Sequence, residues 1–158
     1  MLNQLKKTCD QLSAFDLTYC ILRLPSEESD DFEVDMLILE EQAKDFEIIL
    51  TSMGFKYYQN SVKSHHHYIQ GKLHLDLVVN VNYGVDGEYF VCNSASIISR
   101  SMFKDGLFYT RAEDELVMLL MRCMFDKKDF SKKTKRILEL VDVLGEEECT
   151  QMMSKLYN

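Results

Sequence analysis

The residues with the clearest chemical potential are two carboxylates, Glu33 and Asp35, which lie two positions apart in residues 32–39. This stretch alternates polar and apolar residues at its start and becomes apolar at its end, which is typical of a β-strand. Because side chains of a strand alternate between its faces, both acids are expected on one face. Two acids that close repel each other unless a cation lies between them, and Mg²⁺ prefers oxygen ligands. The alternative interpretation is an edge strand with a solvated acidic face.

A predicted hairpin adds a third carboxylate. Residues 62–70 and 73–80 flank Gly71-Lys72, and glycine first in a two-residue loop favours a type II′ turn. This loop pairs His67 with Asp76, and paired residues of a hairpin face the same side. The polar face then carries three histidines and one acid: His65, His67, His74 and Asp76. Asp76 is therefore the predicted third acid of a site with Glu33 and Asp35.

Three acids from two neighbouring strands are the ligands that a two-metal phosphoryl-transfer site requires. The histidines leave a second interpretation open, a zinc site formed by His65, His67 and His74, although their spacing matches no familiar zinc signature. A Ser/His/Asp or Cys/His nucleophilic site also stays open, but the sequence contains no GxSxG elbow. It contains no GxxxxGKS loop or GxGxxG turn either, which excludes P-loop and Rossmann chemistry.

Composition restricts the partners and the compartment. The chain of 158 residues has a formal net charge of −8, which argues against a dedicated nucleic-acid binder. The basic run at residues 127–136 is interpreted as a solvated connection between helices. Five scattered cysteines without a CxxC pair favour a reducing compartment. Without a long apolar run or the apolar core of a signal peptide, we expect a cytoplasmic protein with no membrane partner.

The remaining pattern predicts the elements that position these acids. Helices are expected at residues 2–14, 40–53, 111–124 and 129–144, with a last short helix after Gly145, and strands at residues 17–24, 32–39, 55–58, 62–70, 73–80 and 88–92. Thr110 and Glu113 form a predicted capping box, whereas residues 93–106 give no clear pattern. The predicted fold class is α+β, a mixed β-sheet with helices packed on one face. We expect a single domain over residues 1–158, with residues 111–158 as a helical C-terminal part packed on it.

These segments together resemble the nucleotidyltransferase superfamily, which has the fold of DNA polymerase β, and within it the uncharacterised bacterial nucleotidyltransferase-like proteins. The resembling segments cover most of residues 15–145: residues 19–23, 33–38, 53–55, 74–78 and 111–116. The resemblance implies that Glu33, Asp35 and Asp76 are catalytic, metal-binding acids. It also implies Mg²⁺ or Mn²⁺ as the cofactor and an NTP as the substrate, from which NMP is transferred to an unknown acceptor.

The chain departs from this family after the first strand. Members carry a Gly-Ser pair that holds the nucleotide's phosphates, whereas residues 22–26 read LRLPS, and Pro25 has no N–H to offer. Arg23, Ser26 and Lys72 are therefore the candidate phosphate contacts, and the alternative for Arg23 is an ion pair with Glu33 or Asp35. Two functions stay open: a metal-dependent nucleotidyltransferase, and a catalytically degenerate binding or regulatory module with a protein partner.

Overall fold

A computed structural model describes residues 1–23, 32–58, 64–83, 90–127, 129–131 and 133–156. Its α-helices are α1 (Leu2–Ala14), α2 (Ala43–Ser52), α3 (Ser94–Ser99), α4 (Ala112–Met121), α5 (Thr134–Leu144) and α6 (Glu146–Leu156). A 3₁₀ turn at Glu40–Gln42 precedes α2, and a π-helix at Arg122–Lys127 follows α4. The strands are β1 (Tyr19–Arg23), β2 (Phe32–Ile38), β3 (Lys56–Tyr58), β4 (His65–Gln70), β5 (Leu73–Val78), β6 (Val81–Tyr83), β7 (Phe90–Cys92), β8 (Met102–Lys104) and β9 (Leu107–Tyr109).

A seven-stranded sheet has the order β3-β4-β5-β2-β1-β9-β8, and β6 and β7 form a separate two-stranded sheet. In the large sheet, β2 runs parallel to β5 and β1 runs parallel to β9, whereas the other pairs are antiparallel. The sheet is therefore mixed, and the predicted α+β fold class is confirmed. Parallel neighbours need a crossover connection, and 34 residues separate the end of β2 from the start of β5 (38 to 73).

The chain divides into two compact units. One comprises Met1–Val81 with Cys92–Thr110, and the other comprises Asn82–Val91 with Arg111–Asn158. The first unit contains the seven-stranded sheet, α1, α2 and α3, and the second contains α4, α5 and α6. The assignment of residues 111–158 to a single domain with the rest stays a prediction.

One face of the central strands forms the hydrophobic core of the first unit. Alternate residues of β2 and β5 point into it and are fully or almost fully buried: Val34, Met36, Ile38, Leu73, Leu75 and Leu77. Buried side chains of α1 and α2 cover this face: Leu5, Cys9, Leu12, Phe46 and Leu50. Each such side chain contributes about 1.5–3 kcal/mol on burial. Because the strand period is two, this burial directs the intervening residues to the opposite face.

The predicted capping box at Thr110 is wrong. Thr110 directly follows β9, and both its backbone N–H and its hydroxyl donate to the carbonyl oxygen of Ile21, at 3.1 and 3.4 Å. The N-cap of α4 is Arg111, and no side-chain capping hydrogen bond is found there in the described structure. Thr110 therefore extends the pairing of β9 with β1, and its donors are used in tertiary contacts.

Among the described residues, no helix has both the length and the apolar character that a membrane crossing requires.

Candidate functional site

The acids of β2 and β5 meet because these strands are parallel neighbours in register. Asp35 lies opposite Asp76, and Glu33 lies opposite His74. One carboxylate oxygen from each of Glu33, Asp35 and Asp76 lies within 4.8 Å of the other two. The structure thus brings the three acids together on one sheet face, although Asp76 is 41 positions from Asp35 in the sequence (76 minus 35).

The three carboxylates differ in their exposure to solvent. Asp76 is buried, with 6% of its surface exposed. The side chain of Asp35 is 13% exposed and that of Glu33 is 43% exposed. A buried carboxylate is stable only with hydrogen-bond donors or cations beside it, so the partners of Asp35 and Asp76 determine what this face can bind.

One partner of Asp35 is Arg23 at the end of β1. The Arg23 Nη2 atom lies 2.8 Å from Asp35 Oδ2. The register of β1 with β2 shifts after Ile21, which pairs with Met36, so that Arg23 pairs with Asp35. Leu22 is the extra residue of this β-bulge, and such an insertion re-aims the following side chain. The bulge therefore places Arg23 on the face that carries the acids.

The partners of Asp76 are histidines of β4. The hairpin has the predicted register, with His67 opposite Asp76, and Gly71 has a φ of +62° at the first turn position. The Nδ1 atom of His65 lies 2.8 and 3.0 Å from the two carboxylate oxygens of Asp76. The Nε2 atom of His67 lies 3.8 Å from Asp76 Oδ1.

The histidine contacts continue from Asp76 back to Glu33. His67 Nδ1 lies 2.8 Å from His74 Nε2, and His74 Nδ1 lies 3.8 Å from Glu33 Oε1. His66 belongs to the same strand but alternates with these residues, and its ring lies 6.3 Å from the ring of Tyr57. The polar face thus carries a connected chain of imidazoles and carboxylates, and His66 is not part of it.

This arrangement contains three overlapping groups of ligand atoms that can hold a metal ion. They are Glu33 with Asp35 and Asp76, His65 with His67 and Asp76, and Glu33 with His67 and His74. The first group consists only of carboxylates, which suits Mg²⁺ or Mn²⁺. An octahedral ion with oxygen ligands at 2.0–2.1 Å places adjacent oxygens about 3 Å apart and opposite ones about 4 Å apart. The oxygens of the three acids lie within 4.8 Å of one another, so their carboxylates need to approach each other by less than about 2 Å to bind such an ion.

The structure describes two of the three predicted phosphate contacts. Arg23 lies beside Asp35, whereas Lys72 is exposed in the β4–β5 turn, where its carbonyl oxygen accepts a hydrogen bond from the N–H of Phe32 at 3.3 Å. Ser26 lies outside the described residues. Each group of ligand atoms that contains histidines joins two of them to a carboxylate, whereas the alternative zinc site combined His65, His67 and His74. The sequence signal for the site is the hairpin pairing, which puts Asp76 on the same sheet face as His65 and His67.

No family model and no curated protein matches the sequence. The solved structures with a similar fold include three structures of two proteins. A crystal structure of ANT(2″)-Ia in complex with adenylyl-2″-tobramycin has a TM-score of 0.63 at 12% identity, and the match covers 97% of this chain and 94% of that one. A solution structure of the antibiotic-resistance factor ANT(2″)-Ia has a TM-score of 0.61 at 13% identity, with 96% and 88% covered.

The third is a crystal structure of the lincosamide antibiotic adenylyltransferase LnuA bound to lincomycin, with a TM-score of 0.60 at 12% identity, covering 89% of this chain and 96% of that one. At these identities the likeness shows a shared fold, which is that of nucleotidyltransferases, and fold alone does not determine function.

Proposed function

We propose that the protein is a metal-dependent nucleotidyltransferase that transfers a nucleoside monophosphate from an NTP to a hydroxyl group of a small acceptor. The observation that carries this proposal is the convergence of Glu33, Asp35 and Asp76, with ligand oxygens within 4.8 Å of one another, on neighbouring parallel strands of a nucleotidyltransferase fold. Paired acids held this closely are electrostatically costly without a cation. A metal ion would use all three acids together, whereas Arg23 neutralises Asp35.

The three acids would hold Mg²⁺ or Mn²⁺, which when bound neutralises charge on the triphosphate and favours attack at the α-phosphorus. In the transfer step, the acceptor oxygen forms a bond to the α-phosphorus and the bond to the bridging oxygen of the β-phosphate breaks. Pyrophosphate leaves, and the hydroxyl proton passes to a carboxylate of the group. Arg23 supplies a planar, permanently charged donor beside Asp35, suited to phosphate oxygens. Ser26 and Lys72 are the further proposed phosphate contacts.

The acceptor that we propose to test first is a cationic, hydroxylated small molecule. The chain's net charge of −8 attracts cations to its surface and repels polyanions. The structural neighbours include one protein bound to adenylyl-2″-tobramycin and one bound to lincomycin, which makes aminoglycosides and lincosamides reasonable first acceptors. A cytoplasmic location and a bacterial origin are part of the same proposal.

The decisive experiment separates nucleotide binding from transfer. Calorimetry with Mg²⁺ and each of the NTPs is expected to show binding that needs the metal, whatever the acceptor. Pyrophosphate release and the mass of the product then report transfer to tobramycin or lincomycin. Asp35→Asn and Asp76→Asn are expected to reduce the transfer rate by at least about 100-fold, since charge stabilisation at the transition state is worth this much.

Asp105→Asn is the matched control. It removes the same charge in the exposed turn between β8 and β9, where a φ of +52° suits asparagine. Its transfer rate is expected to equal that of the unchanged protein. Well-folded protein that binds no NTP in the presence of Mg²⁺ or Mn²⁺ would refute the proposal.

A second candidate is a catalytically degenerate binding or regulatory module. It is favoured by the partners that the acids already have, namely Arg23 at 2.8 Å from Asp35 and His65 at 2.8 Å from Asp76. These contacts neutralise or hydrogen-bond the acids without a metal. Under this proposal Glu33→Ala and Asp35→Ala leave the biological activity of the protein unchanged, and loss of that activity in either variant excludes it.

A further inference from the structure

We propose that His65, His67 and Asp76 form a binding site for a transition-metal ion of the zinc class. The site lies on the same sheet face as the three acids and shares Asp76 with them, but its donor set of two imidazoles and one carboxylate is different. This inference concerns metal binding and does not need the protein to be an enzyme.

The distances between the ligand atoms suit such an ion. Zinc with ligands at 2.0–2.1 Å in a tetrahedron places those ligand atoms about 3.3 Å apart. His65 Nδ1 lies 2.8 and 3.0 Å from the oxygens of Asp76, and His67 Nε2 lies 3.8 Å from Asp76 Oδ1. The separations from Asp76 lie on both sides of the required value, and all three ligand atoms lie within 4.8 Å of one another, so shifts of up to about 1.5 Å complete the site. Three protein ligands leave a fourth position for water or another molecule.

A second layer of contacts orients His67 for this role. Histidines that bind a metal through one nitrogen usually donate the other N–H to an acceptor, which fixes the tautomer. His67 Nδ1 lies 2.8 Å from His74 Nε2. Either nitrogen can carry the shared proton, and a metal on His67 Nε2 selects the tautomer in which His67 Nδ1 donates to His74. His74 then carries its proton on Nδ1, which lies 3.8 Å from Glu33 Oε1. These contacts therefore stabilise the tautomer of His67 that can bind a metal through Nε2.

Burial favours this group over the other group that contains histidines. Asp76 is 6% exposed and the side chain of His67 is 15% exposed, whereas Glu33 is 43% exposed. Nitrogen donors favour zinc-class ions over Mg²⁺, which prefers oxygen. Asp76 thus lies between an oxygen-donor site on the β2 side and a nitrogen-donor site on the β4 side.

The test is a titration of the untagged, chelator-treated full chain with Co²⁺, which replaces Zn²⁺ and gives visible absorption bands in a site with few ligands. We expect one ion per chain, displaced by Zn²⁺. His65→Gln and His67→Gln are expected to weaken binding at least 100-fold, because each removes one of three ligands. His74→Gln is expected to weaken it 10- to 100-fold, as loss of a contact that orients a ligand does.

His66→Gln is the matched control, since His66 lies on the same strand between the two ligands but alternates away from them, beside Tyr57. Its binding should equal that of the unchanged chain, and circular dichroism establishes that each variant is folded. Absence of the Co²⁺ bands in folded, unchanged protein overturns the proposal, and so does an equal loss of affinity in His66→Gln and His67→Gln. Because no nucleotide is present, failure of the proposed transferase activity leaves this result unaffected.

Discussion

Replacement of Arg23 by glutamine is expected to increase the stabilisation that Mg²⁺ gives to the protein. The guanidinium lies 2.8 Å from Asp35 and therefore neutralises one of the three acids. Without this charge, three carboxylates with oxygens within 4.8 Å of one another retain their repulsion. A divalent ion is then the strongest available counter-charge, and it no longer competes with the guanidinium for Asp35.

The size of the effect follows from the exposure of the pair. The Arg23 side chain is 42% exposed and that of Asp35 is 13% exposed, so solvent screens the pair and its net contribution is about 1 kcal/mol. Arg23→Gln should therefore lower the free energy of unfolding in chelator by about 1 kcal/mol. If metal and guanidinium compete for Asp35, Mg²⁺ binding becomes tighter by the same amount, which is about five-fold in Kd. When the protein is nearly saturated with Mg²⁺, the tighter binding therefore recovers most of the stability that the substitution removes.

Urea unfolding with chelator and with saturating MgCl₂, at constant ionic strength, measures both effects. Arg136→Gln is the control, because it removes a partly exposed arginine that pairs with other acids. Arg136 Nε and Nη2 donate to Glu115 at 2.8 and 2.7 Å, and Nη1 donates to Glu139 at 3.2 Å. This control should lose stability without any added response to Mg²⁺. The reasoning is refuted if Mg²⁺ stabilises the unchanged protein, Arg23→Gln and Arg136→Gln equally.

Three further predictions concern the fold that supports the site. Leu75→Ala truncates a fully buried side chain and should lower the free energy of unfolding by about 3 kcal/mol in urea titration. Gly71→Ala puts a side chain at a φ of +62° with no steric contact and should cost about 1 kcal/mol by the same assay. Burial raises the pKa of the Cys9 thiol to about 12. The folded state therefore holds this proton more tightly than the unfolded state, and the resulting stability is complete below about pH 8.5 and is lost as pH rises towards 12. Cys9→Ala should consequently show a shallower fall in unfolding free energy over this range, by at most about 1.4 kcal/mol per pH unit; an equal fall in both proteins contradicts the assignment.

The hairpin of β4 and β5 was predictable because residues close together in the sequence determine it. Gly71 identifies the turn, and the turn determines that His67 pairs with Asp76. The alternation of leucines in β5 then determines which side chains face the core. By contrast, β9 has three residues and joins the sheet beside β1, where Ile21 pairs with Tyr109. A pairing between residues so far apart in the chain leaves no periodic signal, and the donors of Thr110 serve it instead of a helix cap.

The ion pair of Arg23 with Asp35 was one of two alternatives for Arg23, but the strand register that produces it was not predictable. In an unbroken register with Ile21 opposite Met36, Leu22 would lie opposite Asp35 and Arg23 opposite Val34. The bulge shifts Arg23 by one position, to Asp35. A single inserted residue exchanges the two faces of a strand, and nothing in the segment itself indicates the insertion. The sequence therefore yields the three acids and Arg23 as an alternative partner of Glu33 or Asp35, and the bulge decides for Asp35.

Asp76 is the residue on which the alternatives for this protein converge, because β5 lies between β2 and β4 in the sheet. From β2 it meets Asp35, and from β4 it meets His65 and His67. An ion bound by Glu33, Asp35 and Asp76 leaves the imidazoles without a metal ion. An ion bound by His65, His67 and Asp76 uses the carboxylate of Asp76, which is then no longer available to the three-acid site. The two sites therefore compete, and the proposed transfer reaction should fall as Zn²⁺ is added at constant Mg²⁺. His67→Gln should abolish this inhibition while Mg²⁺ binding persists, so inhibition that survives the substitution would show that zinc acts elsewhere.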